Sequence, residues 1–388
     1  MRVLYIVYWG ALEPLGRALV VPSVSRLAQL GARITLVTYE KPADMDRDAD
    51  VKKVDATLRA TGVRWVPLRY HKSPKVPATV FDVAHGLARG GIDGRGADVI
   101  HARTFVGGLT GLPLSGITRT KLIYHNEGFY PDEQVDAGFW AEGSRPHRIA
   151  KRLEERLYSR ADAIFSLSEK GKEIIEALDA VRNRQTPIVV VPSSVDLEHF
   201  RPRERDVADG PLRLVYMGSV GGRYLVDRIG RFTALADARL EVLSPADRAL
   251  VQSELRSGGL ETDAWSSKFV PYDQLPDELV RYDAGFCFHT HTLSAAGGSS
   301  TKVGQYWAMG LPVIATRGLG DVDAIVASER VGVVVRDHTD DAYRAALDEL
   351  RPLLADSDLA ARCRAAAERH YGLDEACRRQ FAAYEQLA

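Results

Sequence analysis

Residues 297–314 read GGSSTKVGQYWAMGLPVI, and this stretch decides the fold. The pair Gly297-Gly298 is a flexible lead-in, and Ser299, Ser300 and Thr301 are residue types suited to capping a helix N-terminus. A short helix is predicted to follow, closed by Gly310, with a buried strand over Pro312–Ala315. Loop, helix and apolar strand in such close order are a repeating unit of a parallel sheet. Lys302 falls in the first helical turn, where its charge opposes the helix dipole. An anionic ligand such as a diphosphate at the exposed N–H groups explains that placement. A solvated surface lysine is the plainer alternative. Gln305 lies one turn after Thr301 on the same face, where its amide suits sugar hydroxyls or simply water.

Working outward, the same alternation extends in both directions. Strand candidates in the second half are Leu214–Met217, Leu240–Leu243, Gly285–His289 and Gly332–Val335, and the chain is helical from Asp341 on. After Met217 comes Gly218-Ser219-Val220-Gly221-Gly222-Arg223. Its glycines allow backbone N–H groups to approach an anion, and Arg223 adds charge, although a plain β–α turn reads the same way. The polar stretch His199–Arg213 reads as an interdomain linker. Before it, strands are predicted at Val3–Tyr8, Ile34–Thr38, Val63–Pro67, Val99–His101, Leu122–His125, Ala163–Leu167 and Ile188–Val191. A helix over Pro22–Leu30 is stopped by Gly31. The expectation is α/β, with two doubly wound halves. Ligands collect outside the carboxyl ends of such strands, so two facing halves predict a cleft at the linker.

His101 and His125 both read as strand-end histidines in the first half, beside a loop carrying Glu127, Asp132, Glu133 and Asp136 with Phe129, Tyr130 and Trp140. Carboxylates with aromatics suit a polyhydroxylated acceptor, and equally a surface lid. Asp46-Arg47-Asp48 has a metal-like spacing but sits in a charged run that reads as a solvated face. His289-Thr290-His291 lacks a third ligand nearby, so no metal is expected. The segment His147–Arg160 carries Arg148, Lys151, Arg152, Arg156 and Arg160. Weak contact with an anionic membrane surface is one reading, but Glu154 and Glu155 dilute the charge and favour an ordinary amphipathic helix.

The chain has 388 residues, which suits two to three domains. With 51 basic against 52 acidic residues the net charge is −1, which argues against a globally basic nucleic-acid binder. Three scattered cysteines, Cys287, Cys363 and Cys377, suit neither a zinc site nor a disulfide framework. They fit a reduced, cytoplasmic setting. The start MRVLYIVYWG reads as a strand rather than a leader, and no run approaches the length of a membrane span.

Together these motifs resemble a retaining GT-B glycosyltransferase of the large family-four type. Val191-Pro192-Ser193-Ser194-Val195-Asp196 with Phe200 and Pro202 resembles the family's PNGVD-x-x-x-F-x-P. Met217-Gly218-Ser219 resembles its glycine loop, and Ser300–Ile314 its K-x-x-E-Y-x-A-x-G-x-P-V-I signature. Ala161-Asp162 with Ser168, and Arg364 with Ala367, fit further points in the same order. A bacterial subgroup making surface polysaccharides is similar at Leu36–Pro42, Gly128–Trp140 and Gly320–Asp323.

The resemblance implies two Rossmann-like domains, 1–200 on the acceptor side and 201–370 on the donor side, with a final helix over 371–388 returning to the first. It implies that Gly218, Ser219, Gly222, Arg223, Lys302, Ser300 and Thr301 hold a nucleotide-sugar diphosphate, most simply of a UDP- or GDP-sugar. Gln305 takes the place of the glutamate that binds ribose, and Gly297 that of the other member of the E-x7-E pair, so both carboxylates are absent. His125 matches the histidine near the donor sugar. Gly10 and Gly16 lie in the first loop, which approaches donor and acceptor, with His101 and Glu127 nearby. The implied reaction is metal-independent sugar transfer, with retention, to a saccharide, lipid-linked or small-molecule acceptor. It needs no resident cofactor and no nucleic acid, and it belongs in the cytoplasm or at the inner membrane face. A GT-B epimerase, a pseudo-glycosyltransferase or a non-catalytic nucleotide or sugar binder are the alternatives.

Overall fold

The computed structural model describes residues 1–203 and 210–388. The expected linker His199–Arg213 therefore lies partly outside the described residues. The chain forms two compact units. The first comprises Met1–Val135, Trp140–Pro192 and Leu373–Ala388; the second comprises Asp136–Phe139 and Ser193–Gly372.

The first unit holds seven parallel strands: β1 Arg2–Val7, β2 Arg33–Glu40, β3 Arg64–Arg69, β4 Val99–Arg103, β5 Lys121–His125, β6 Ala163–Ser166 and β7 Ile188–Val190. Their spatial order is β3-β2-β1-β4-β5-β6-β7. Helices cover both faces, so the central strands are buried on both sides. In β1 every residue after Arg2 is buried, and β4 is buried throughout. The order reverses between β1 and β4, where Val7 pairs with Arg103. Loops diverge from such a point and leave room for a ligand.

The second unit has six parallel strands: β8 Arg213–Met217, β9 Arg239–Leu243, β10 Trp265–Lys268, β11 Ala284–Cys287, β12 Val313–Thr316 and β13 Gly332–Val335. Their order, β10-β9-β8-β11-β12-β13, reverses between β8 and β11. Tyr306 fastens that point: its hydroxyl accepts from Met217 N at 3.1 Å and donates to Phe286 O at 3.4 Å. Gly285 has no side chain because a Cβ there would lie 2.5 Å from the Tyr306 ring.

The chain passes from one unit to the other at Pro192–Ser193, earlier than the expected 200/201. The reason is packing. Phe200 is fully buried in the second core beside Trp307, Val195 N donates to Tyr371 O at 2.7 Å, and Arg364 Nη1 donates to Phe200 O at 2.7 Å. The segment resembling PNGVD is thereby part of the second unit. At the far end, helix Leu373–Leu387 packs on helix Val21–Gln29 of the first unit. It places Cys377 and Tyr384 in that core, with Arg26 Nε 2.8 Å from Asp374 Oδ1.

Helix Arg145–Arg160 buries Ala150, Leu157 and Tyr158, while Lys151 bonds Asp132 and Glu154. No helix among the described residues is long and apolar enough to cross a membrane. The three cysteines are buried, and none forms a disulfide.

Candidate functional site

Two polar clusters occupy the two strand-order reversals. In the second unit, β8 ends at Met217 and the chain turns through Gly218, with φ +134°. Gly221 and Gly222 also take positive φ, at +87° and +64°. The Tyr216 hydroxyl donates to Ser219 O at 2.5 Å and fixes the loop from beneath. Tyr224 then bridges back to His289, just past β11. The loop is thus a built turn spanning the reversal between β8 and β11.

Lys302 reaches into this turn from the helix Thr301–Ala308. Its ammonium lies 4.6 Å from the centre of the Tyr216 ring and 4.7 Å from that of Tyr224. Nζ is buried and has no hydrogen-bond partner. Two aromatic faces offset part of the cost of removing the charge from water. They leave its donors free. Arg223 stacks its guanidinium 5.6 Å from the Tyr224 ring. His289 Nε2 is likewise buried without a partner. Burial, then Lys302 and Arg223, push the His289 imidazole well below its ordinary value, so it is neutral. Lys302 thus brings a buried positive charge with unpartnered donors, beside the Arg223 guanidinium, which is the chemistry of an anion site.

Ser300 takes the N-cap position, but its hydroxyl makes no cap bond, contrary to expectation. Ser300 Oγ instead accepts from Cys287 Sγ at 3.3 Å, because β11 runs directly beneath. The loop before it is tied down by Ser193, whose N donates to Ser299 Oγ at 3.2 Å and whose Oγ donates to Ser299 O at 3.0 Å. Thr301 opens the helix, and Gln305 is buried rather than a solvated surface residue. Gly297 closes a preceding short helix, Leu293–Ala296.

In the first unit, Gly10 lies in the loop after β1, whereas Gly16, expected in the same loop, opens the helical turn Gly16–Val20; a Cβ on Gly16 would lie 1.9 Å from Gly10 O. The buried Glu40 carboxylate holds this loop, accepting from Ala11 N at 2.6 Å and Leu12 N at 3.2 Å. His125 is the last residue of β5, as expected. His101 is not at a strand end, because β4 continues through Ala102 to Arg103. Both imidazoles are buried and linked, His101 Nε2 to His125 Nδ1, at 3.0 Å. Tyr384 hydroxyl lies 2.5 Å from His101 Nδ1. Burial, then Arg103, push both histidines well below their ordinary values. His125 Nε2 lies 3.3 Å from Glu127 Oε1 and has no hydrogen-bond partner. Arg103 bonds Glu127 and the Tyr5 hydroxyl; burial alone would pull it down, but those partners hold it above its ordinary value.

The acidic loop separates. Glu127 joins the histidine cluster, whereas Asp132 pairs with Lys151 at 2.9 Å. Phe129 is buried and Tyr130 stacks on Phe105. Arg47 pairs with Asp44 and Asp50 across the charged run. No group of three or more His, Cys, Asp or Glu side chains suited to a metal ion occurs among the described residues. One further polar cluster has no signal in the sequence: His71 Nδ1 bonds the fully buried Asp82 at 2.6 Å, and Tyr8 hydroxyl donates to the same carboxylate at 2.8 Å. Asp82 lies on a helix, and nothing local in its neighbourhood marks it as more than a helical acid.

The two parallel α/β sheets have the GT-B fold, which similar solved structures share over the whole chain. Residues 20–193 match the profile of the Glycosyl transferase 4-like domain. Among solved structures, sucrose-phosphate synthase from Thermosynechococcus elongatus is similar with a TM-score of 0.76 at 15% identity, covering 100% of this chain and 99% of that one. Anabaena Alr3699/HepE in complex with UDP-glucose matches with a TM-score of 0.67 at 14% identity, covering 100% of both chains. A putative UDP-N-acetylglucosamine 2-epimerase from Listeria monocytogenes matches with a TM-score of 0.57 at 14% identity, covering 99% of this chain and 96% of that one. A search of curated protein sequences finds no match to this chain.

Proposed function

We propose that the protein is a glycosyltransferase that moves a sugar from a nucleoside-diphosphate donor to an acceptor hydroxyl, with retention and without a metal. The observation that carries this is the buried, unpartnered ammonium of Lys302 against the glycine loop. Negative charge grows on the departing diphosphate as the glycosidic bond breaks. Lys302, Arg223 and the backbone donors of Gly218–Gly222 and Ser300–Thr301 are set to receive it before the reaction begins. Such prepositioned donors stabilise the transition state more than the intact donor. Gln305 serves the ribose through its amide. His125 serves hydroxyls at the sugar end, with Gly10, Gly16, His101 and Glu127 shaping that region. With retention, the acceptor gives its proton to a phosphate oxygen, so no carboxylate nucleophile is required. A UDP-sugar is favoured by the UDP-glucose complex among the similar structures. Surface-polysaccharide assembly in the cytoplasm, with weak contact of the basic helix at the membrane face, suits the sequence motifs. Saccharides, lipid-linked or free, are the acceptors in this reading.

The absent carboxylates at Gly297 and Gln305, and the epimerase among the similar structures, favour one second reading, a sugar-nucleotide epimerase. The deciding experiment incubates the protein with UDP-, GDP-, ADP- and dTDP-sugars and an acceptor pool. Free nucleoside diphosphate with a new glycosidic bond supports transfer. An altered sugar without a new bond supports the epimerase. Neither turnover nor stabilisation by any nucleoside diphosphate refutes both.

A further inference from the structure

The His101–His125 pair does not end at the sheet. His101 Nδ1 meets the phenol of Tyr384, 283 positions away in sequence, on helix Leu373–Leu387. The row runs Tyr384 hydroxyl, His101 Nδ1 at 2.5 Å, His101 Nε2 to His125 Nδ1 at 3.0 Å, then His125 Nε2 at 3.3 Å from Glu127 Oε1. All three rings are buried, with Tyr5 at 4.1 Å and Phe165 at 5.4 Å from His101 completing the walls. We infer that Tyr384 is a positioning residue that fixes the tautomer of His125, so that its Nε2 carries the hydrogen and is available to donate.

The direction of the row follows from its two ends. The Glu127 carboxylate, ion-paired with Arg103, offers only lone pairs. A bare His125 Nε2 would set a lone pair against it, so Nε2 bears the hydrogen. His125 Nδ1 must then accept, and His101 Nε2 must donate. That leaves His101 Nδ1 bare, and it needs a donor in a buried site. Burial raises the Tyr384 phenol well above its ordinary value, which keeps its hydrogen in place to give. The groups facing the row are Tyr5, Arg103, Glu127 and Cys377; the Arg103 cation opposes a second proton on either imidazole. An imidazole is oriented by what its other nitrogen touches, and here that control passes through His101 to the helix at 373–387.

The tautomer stands independently of the transferase reading; its kinetic consequence rests on that reading. The test uses the whole chain labelled with nitrogen-15 histidine, with His125 assigned by difference from His125→Gln. The expected spectrum shows His125 with a protonated Nε2 and an unprotonated Nδ1 between pH 6 and 8. In Tyr384→Phe, which keeps the ring, the His125 Nδ1 signal moves toward a mixture of tautomers. A wild-type His125 protonated on Nδ1, or a spectrum indifferent to Tyr384→Phe, overturns the inference, and the wild-type spectrum decides even if the variant misfolds. On nucleoside-diphosphate release, Tyr384→Phe lowers kcat about tenfold, the value of one buried hydrogen bond, with KM for the donor held within about twofold. An unchanged kcat in an active enzyme removes the positioning role. The expected spectra without turnover of any donor leave the row in place and defeat the transferase reading instead.

Discussion

The ammonium of Lys302 lies 3.1 Å from the point where Gly218 would carry a Cβ. Gly218 is glycine for two reasons at once: its φ of +134° and the approach of that charge. Gly218→Ala is expected to strain the turn and push the ammonium out of its place between two rings. The strain costs about 1–3 kcal/mol of stability. Affinity for UDP or GDP, read by calorimetry, should fall at least about tenfold. Undiminished affinity would mean that the turn does not hold the diphosphate.

Lys302→Met keeps the apolar stem and removes the charge. A buried ammonium without a counterion is costly, so the free variant should melt at the wild-type temperature or above it. Release of nucleoside diphosphate should drop by about a hundredfold or more. Loss of stability together with unchanged turnover would assign Lys302 to packing alone.

Tyr306→Phe removes the hydroxyl that fastens β8 to β11 and leaves Met217 N buried without its acceptor. Denaturant unfolding should show a loss of about 1–3 kcal/mol. Nucleotide affinity should weaken alongside, because the glycine loop starts one residue later. Equal unfolding midpoints for variant and wild type would contradict this.

Glu154 supplies a pH dependence. Burial pushes its carboxyl up to about 7, against the lowering pull of Lys151. The folded state then binds the proton more tightly than the unfolded chain. Its contribution to stability is full below the unfolded value near 4.5 and is lost as pH rises through about 7. Glu154→Gln should therefore raise the melting temperature at pH 8 and change it little at pH 4.5. The gain is on the order of 2 kcal/mol. A gain confined to acid pH would have the wrong sign.

The sheet was legible because parallel strands buried on both faces are written as short apolar runs, and Leu214–Met217 is one such run. β10 was not anticipated, since Trp-Ser-Ser-Lys has little apolar character; as an edge strand pairing only with β9, it can keep two serines and a lysine. Lys302 and Gly218 were readable from local pattern, a misplaced cation and a glycine turn. The rings of Tyr216 and Tyr224 that house Lys302 come from elsewhere in the chain, and no spacing announces them. The same holds for Glu40, which shapes the Gly10–Gly16 loop from the end of β2. Ser300 shows the reverse error: its residue type suits a cap, but a neighbouring thiol takes its oxygen.

The return of residues 373–388 to the first unit sets an order of assembly. A ribosome makes the whole of Ser193–Gly372 after most of the first unit and before its last helix. Domains tend to fold as they emerge. The half with the glycine loop therefore has its full sequence in hand while the other half still lacks its closing piece. His101 meets Tyr384 only after that interval, so the histidine row is among the last features to be completed during synthesis.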